Sequence, residues 1–202
     1  YNYGTKANGS STDKSFTLTN TGSFTATSMT GSGLSAPYSF KGGSYPGTGG
    51  TCSTTLSSAA TCTVVVTFNP TSNGTYNAQF DIGYNNGVSG QTSSRPVTGI
   101  GAAAATFTIS DGATYNYGTK ATGSSTDKTF TVTNSGGVNA TSVSVTALAA
   151  PFSFKGGTYP GTGGDCGATL AAAATCTMVV TYAPTGTGAH SDTISVTFND
   201  GV

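Results

Sequence analysis

TCTVVVTFNP (61–70) and TCTMVVTYAP (175–184) are one strand written twice. In the second copy Cys176, Met178, Val180 and Tyr182 fall on one face, while Thr175, Thr177 and Thr181 fall mostly on the other. In the first, Cys62, Val64, Val66 and Phe68 take the apolar face. Alternation with a period of two marks a strand with one buried face. The correspondence extends outward without a gap. Residues 1–88 align with 115–202 at a constant offset of 114, and about 52 of those 88 positions are identical.

The flanking sequence has the same character. In the second copy, 105–110 (Phe107, Ile109), 128–134 (Phe130, Val132), 140–148 (Val143, Val145) and 191–198 (Ile194, Val196, Phe198) alternate. Phe16 and Leu18, then Phe80, Ile82 and Tyr84, are their equivalents in the first. Turn clusters such as TNSGG, FKGGTYPGTGG and APTGTG separate the runs. No window has a helical apolar period. About seven short strands per 100 residues, with turns every 8–12, predict an all-β chain of two tandem immunoglobulin-like β-sandwich domains.

Composition narrows the function classes. Charged residues make up 7% of the 202, with no Glu, seven Asp, six Lys and one Arg. Nucleic-acid binding and attraction to an anionic membrane both need clustered positive charge, so neither is expected. No apolar run is long enough to span a bilayer, so no membrane insertion is expected of this segment. Polarity comes from Thr, Ser, Asn and 30 Gly, residues of strands and turns.

Each copy carries one C-x9-C pair, Cys52/Cys62 and Cys166/Cys176. Four cysteines allow three connectivities, and the duplication favours one short-loop disulfide per domain. That implies an oxidising, extracellular or cell-surface compartment. The alternatives are buried free thiols and, less consistent with a single His and no C-x2-C, a zinc site.

Between the copies, SRPVTGIG (94–101) reads as the last strand of domain one, and ATFTISDGATYNYG (105–118) as the first strand of domain two running into the repeat. The domains are expected at 1–101 and 102–202. The first then has no counterpart of 107–110, and the second none of 95–101, so each lacks an edge strand. Two explanations are open: a window on a longer array, or strand complementation from another chain.

The stretches 51–82 and 165–196, with FTLTNTG (16–22), FTVTNSG (130–136) and the twin YNYG motifs (1–4, 115–118), resemble the choice-of-anchor D and hydin-like immunoglobulin repeats of bacterial surface proteins. The core of the resemblance is C…L…C-T-x-V-x-[FY]-x-P. It implies a secreted or surface-attached array of β-sandwiches, with no enzyme activity, cofactor or fixed ligand.

Few residues suggest chemistry. His190-Ser191-Asp192 are neighbours in one strand-like run and would point to alternate faces, which does not make a catalytic triad. The GGxYPGTGG loops lack the Lys-Ser/Thr ending and helix of a phosphate loop. Their Tyr45-Pro46 and Tyr159-Pro160 are either rigid loop structure or amphipathic anchors for glycan or protein. Lys14 and Lys128 lack the Glu of an isopeptide crosslink. No metal site or cofactor is expected. The expected partners are further copies of the chain or flanking repeats, with strand complementation at the termini, and host or environmental glycan or protein. The function read from these features is a structural repeat module of a fibre, sheath or adhesin stalk. The alternative is an adhesin that binds through its Gly/Tyr loops.

Overall fold

A computed structural model describes residues 1–202. The chain divides into two compact units, Tyr1–Ala102 and Ala103–Gly201. Both are all-β, and no helix is long and apolar enough to cross a membrane.

The first unit is a seven-stranded sandwich. Its strands are β1 (Asn2–Ala7), β2 (Thr12–Thr19), β3 (Thr27–Ser32), β4 (Tyr38–Phe40), β5 (Thr61–Phe68), β6 (Gly74–Asn85) and β7 (Gly90–Ala102). They form a four-stranded sheet, β1-β7-β6-β3, and a three-stranded sheet, β2-β5-β4. The alternation in β5 does what the sequence predicts: Cys62, Val64, Val66 and Phe68 point into one core with Phe80 and Ile82 of β6 and Val97 of β7. β7 is the hub of its sheet. It runs antiparallel to β6 over the whole of Gly74–Asn85 and parallel to β1 at Asn2, Thr5, Lys6 and Ala7.

The second unit has six strands: β8 (Phe107–Ile109), β9 (Thr126–Asn134), β10 (Thr141–Val145), β11 (Phe152–Phe154), β12 (Thr175–Tyr182) and β13 (Val196–Asn199). Its sheets are β11-β12-β9-β8 and the pair β10-β13. β8 has no equivalent in the first unit. It pairs with β9 at Val132, Thr133 and Asn134, and its Phe107 and Ile109 pack against the core cluster of Phe130 and Val132, which are 5% and 2% exposed. Their equivalents Phe16 and Leu18, without such a strand, are half-buried.

The positions that would align with β7 lie past Val202, and the pairing of the second unit differs in more than one strand. Residues 74–80 of β6, like all of β1, pair with β7 and with no other strand. The equivalent stretches, 188–194 and 116–121, therefore have no ladder and are not strands. The expected strand 191–198 shortens to β13, which keeps its pairing with β10. An alternating pattern marks a buried face, but a strand also needs a neighbour to receive its hydrogen bonds.

The disulfides are Cys52–Cys62 and Cys166–Cys176, one per unit, with Cα–Cα distances of 4.8 and 4.9 Å. Each ties the end of a glycine-rich loop to the central strand. The loop continues the β4 edge along β5: Val65 N–H donates to Pro46 O at 2.8 Å, and the Thr51 and Cys52 amides donate to Thr63 O at 3.0 and 3.1 Å. Gly47 makes this approach possible. Its φ is +88°, and a Cβ there would lie 2.2 Å from Val65 O.

Candidate functional site

The second unit has a cleft of about 940 Å³ at the position that β7 takes in the first. Its lips are 112–122 and 186–194, and its floor includes Phe130, Leu148, Phe152, Val180 and Tyr182. The two lips share no backbone hydrogen bond. Burial follows the same logic. Tyr3, on β1 beside β7, is 5% exposed, whereas its twin Tyr117 is half-buried; Phe80 and Ile82 are buried, whereas Ile194 and Val196 are half-buried.

The walls of the cleft nevertheless keep the geometry of the filled unit. Tyr115–Tyr117 and Tyr115–Phe130 ring centroids are 5.0 and 5.6 Å apart, against 4.9 and 5.6 Å for Tyr1–Tyr3 and Tyr1–Phe16. Tyr117–Tyr182 and Phe152–Tyr182 are 5.3 and 4.8 Å apart, against 5.5 and 4.8 Å for Tyr3–Phe68 and Tyr38–Phe68. The Tyr117 hydroxyl donates to Val180 O at 3.2 Å, as Tyr3 donates to Val66 O at 2.8 Å. Burial, reinforced by Tyr115 and Asp127, pushes the Tyr117 phenol up to about 12, so it stays a neutral donor. The Lys128 ammonium lies 4.6 Å from the Tyr115 ring and forms an ion pair with Asp111 at 2.7 Å.

The polar groups differ between the units. Phe68 is replaced by Tyr182, whose hydroxyl lies 3.0 Å from His190 Nδ1. Asp192 accepts from Ala149 N–H at 2.6 Å. His190 and Asp192 thus have separate partners, and the sequence cluster 190–192 is spread along one lip.

The other sequence candidates lie elsewhere. Tyr45 packs edge-on against Phe40, with ring centroids 5.8 Å apart, and its hydroxyl donates to Ser53 O at 3.3 Å. Tyr159 packs on Phe154 at 5.4 Å. Burial raises both phenols. Pro46 and Pro160 follow cis peptide bonds, and their carbonyls accept from Val65 and Val179. The rings lean onto the sandwich, leaving glycine and threonine at the loop tips. Lys14 lies 5.1 Å from the Tyr1 ring centroid.

Residues 109–202 match the model of the HYDIN/CFA65/VesB-like Ig-like domain family. That stretch begins at the last residue of β8 and covers the rest of the second unit. No curated protein matches the chain. Three similar solved structures are the ASH / PapD-like domain of human CEP192 (PapD-like domain 7), a protein of unknown function from Porphyromonas gingivalis, and the secreted serine protease VesC from Vibrio cholerae. The first has 22% identity and a TM-score of 0.38, covering 51% of this chain and 82% of that one. The second has 10% and 0.35, covering 88% and 77%. The third has 14% and 0.38, covering 98% of this chain and 49% of VesC, about half its length. The second unit has a hydin-like immunoglobulin fold, and the two disulfides fit an extracellular module.

From sequence, 94–101 is expected as an edge strand, whereas β7 lies inside its sheet between β1 and β6; the aromatic residues of the cleft are not singled out. Tyr115, Tyr117 and Tyr182 read there as repeat and core positions. A signal for the filling strand lay in RPVTGIGA (95–102), where Val97, Gly99 and Gly101 put small residues at alternate places.

Proposed function

We propose that this chain is a structural repeat module of a secreted or cell-surface fibre, sheath or adhesin stalk, of the bacterial choice-of-anchor D kind, and that it assembles head to tail. The observation that carries the reading is the in-register duplication of a sandwich in which each copy has its own core and disulfide. Repeated domains build length and spacing. A chain with 7% charged residues and no net charge has little electrostatic repulsion to oppose packing of like modules. The outward positions of the central strands (Thr61, Thr63 and Thr67, then Thr175, Thr177 and Thr181) are strand formers that need no counterion.

Sedimentation velocity over a wide concentration range, with negative-stain microscopy of the concentrated sample, tests this reading. The expected result is a series of species growing by whole chains into linear objects. A monodisperse monomer at every concentration counts against it.

A further inference from the structure

The chain contains three Asn-Gly dipeptides, Asn8-Gly9, Asn73-Gly74 and Asn86-Gly87. In such a pair the glycine nitrogen can attack the asparagine Cγ, with no Cβ to hinder the approach. We propose that Asn86 is a self-modification site, converting through a cyclic imide to aspartate and isoaspartate ahead of the other two. The inference stands whether or not the chain forms fibres.

The reaction needs only water. The Gly87 nitrogen bonds to Asn86 Cγ, the Cγ–Nδ2 bond breaks, and ammonia leaves carrying the proton that the Gly87 amide gives up. Water then opens the imide. Cleavage between Cγ and the Gly87 nitrogen gives aspartate. Cleavage between the Asn86 main-chain carbonyl carbon and that nitrogen gives isoaspartate. Nothing is oxidised or reduced, and either product adds a negative charge to a chain whose net charge is zero.

Three observations separate Asn86 from the others. First, it sits at the tip of the β6–β7 hairpin, where residues 86–89 are all exposed, so water and hydroxide reach it. Second, its Oδ1 accepts from the Val88 and Ser89 amides, both at 2.9 Å. This oxygen gains negative charge as the nitrogen attacks, and two main-chain donors aimed at such an oxygen lower the barrier to acyl transfer. The bond from Val88 also closes a ring that contains both Cγ and the Gly87 nitrogen, which folds the electrophile back towards its nucleophile. Third, the other two lack this support. Asn73 Oδ1 accepts from the Asn8 side chain at 2.7 Å. Asn8 Oδ1 is buried without a partner, so charge developing there would be unsolvated. The nucleophiles differ as well. Gly9 N–H is held by a main-chain oxygen, Pro70 O, at 2.8 Å. Gly87 N–H is held by a side chain, Asn85 Oδ1, at 2.8 Å, which can rotate away.

The second unit carries the aspartate form of the same turn. Asp200 stands where the first unit has Asn86, and Gly201 N–H donates to Asn199 Oδ1 at 2.9 Å, as Gly87 N–H does to Asn85. Conversion of Asn86 to aspartate therefore keeps the turn, whereas isoaspartate lengthens the main chain there by a methylene.

Incubation of the full chain in mildly alkaline buffer made with oxygen-18 water, followed by peptide mapping with mass spectrometry, tests the proposal. A parallel sample is unfolded in concentrated urea. In the folded chain, heavy oxygen is expected to enter residue 86 about tenfold or more faster than residues 8 and 73, with isoaspartate among the products. In urea the three rates are expected to converge. Conversion of Asn8 or Asn73 as fast as Asn86 in the folded chain, an unchanged Asn86, or the same ranking in urea would overturn the proposal.

Discussion

Asn134 is a buried side chain with a full set of partners. Its carbonyl accepts from the amides of Thr106 and Gly136, and its amide donates to Val138, Leu170 and Ala171 carbonyls. Its twin Asn20 is half-buried and serves Gly22, Phe24 and Leu56. Asn134→Ala strands more buried groups, so it should cost about 2–3 kcal/mol, and Asn20→Ala less; urea unfolding of each variant checks the order. Gly161 repeats the geometry of Gly47, with φ +90° and a virtual Cβ 2.2 Å from Val179 O. Gly161→Ala combines backbone strain with a clash against main chain and should cost about 3 kcal/mol, read from the same curves. Asp13 and Asp127 are held below the usual carboxylate range by hydrogen bonds from Lys41 and Lys155, then from Thr67 and Thr181. A depressed folded-state pKa means that their contribution is complete above the unfolded Asp value near about 4 and fades as pH falls through the lowered one. The Tm should therefore fall with acidification across that window. The double variant Asp13→Asn, Asp127→Asn should show a flatter Tm profile by calorimetry.

At the level of elements, the disulfide and the glycine loop share the work of holding the edge beside β5. Each bridge spans a sequence separation of 10, which on the chain-entropy model is worth roughly 2–3 kcal/mol. The loop amides and carbonyls bond β5 independently of the sulfurs. Cys52→Ala with Cys62→Ala should thus lower the unfolding free energy read from urea curves by that amount and leave the β-sheet circular dichroism signal in place. The elements also show what sequence reading resolves. β5 and β12 were legible because eight alternating residues include four or more buried ones. β4 and β11 are three residues each, too short for a period to register. Residues 191–195 alternate as a strand would, yet they are not one, because the pattern encodes a face and the missing partner is a matter of tertiary pairing. The aromatic walls of the cleft were not legible, since the contacts of Tyr115 with Phe130 and of Tyr117 with Tyr182 join residues 15 and 65 positions apart in sequence.

Across the whole molecule, the two units share about 52 of 88 aligned positions and differ in their strand pairing. The first has its full sheet, β1-β7-β6-β3; the second has β10-β13 in its place. Comparison of the two units isolates what pairing with β7 contributes. Local stability follows local pairing, so the difference should be visible within one sample. The most direct measurement is residue-resolved hydrogen exchange on the unmodified chain, comparing Asn2–Ala7 with 116–121 and residues 74–80 with 188–194. The account predicts slow exchange in the first member of each pair and exchange near the unprotected rate in the second, with β9 and β12 as well protected as β2 and β5. Equal protection of 188–194 and 74–80 in the isolated chain would contradict it, because the second unit would then already be closed.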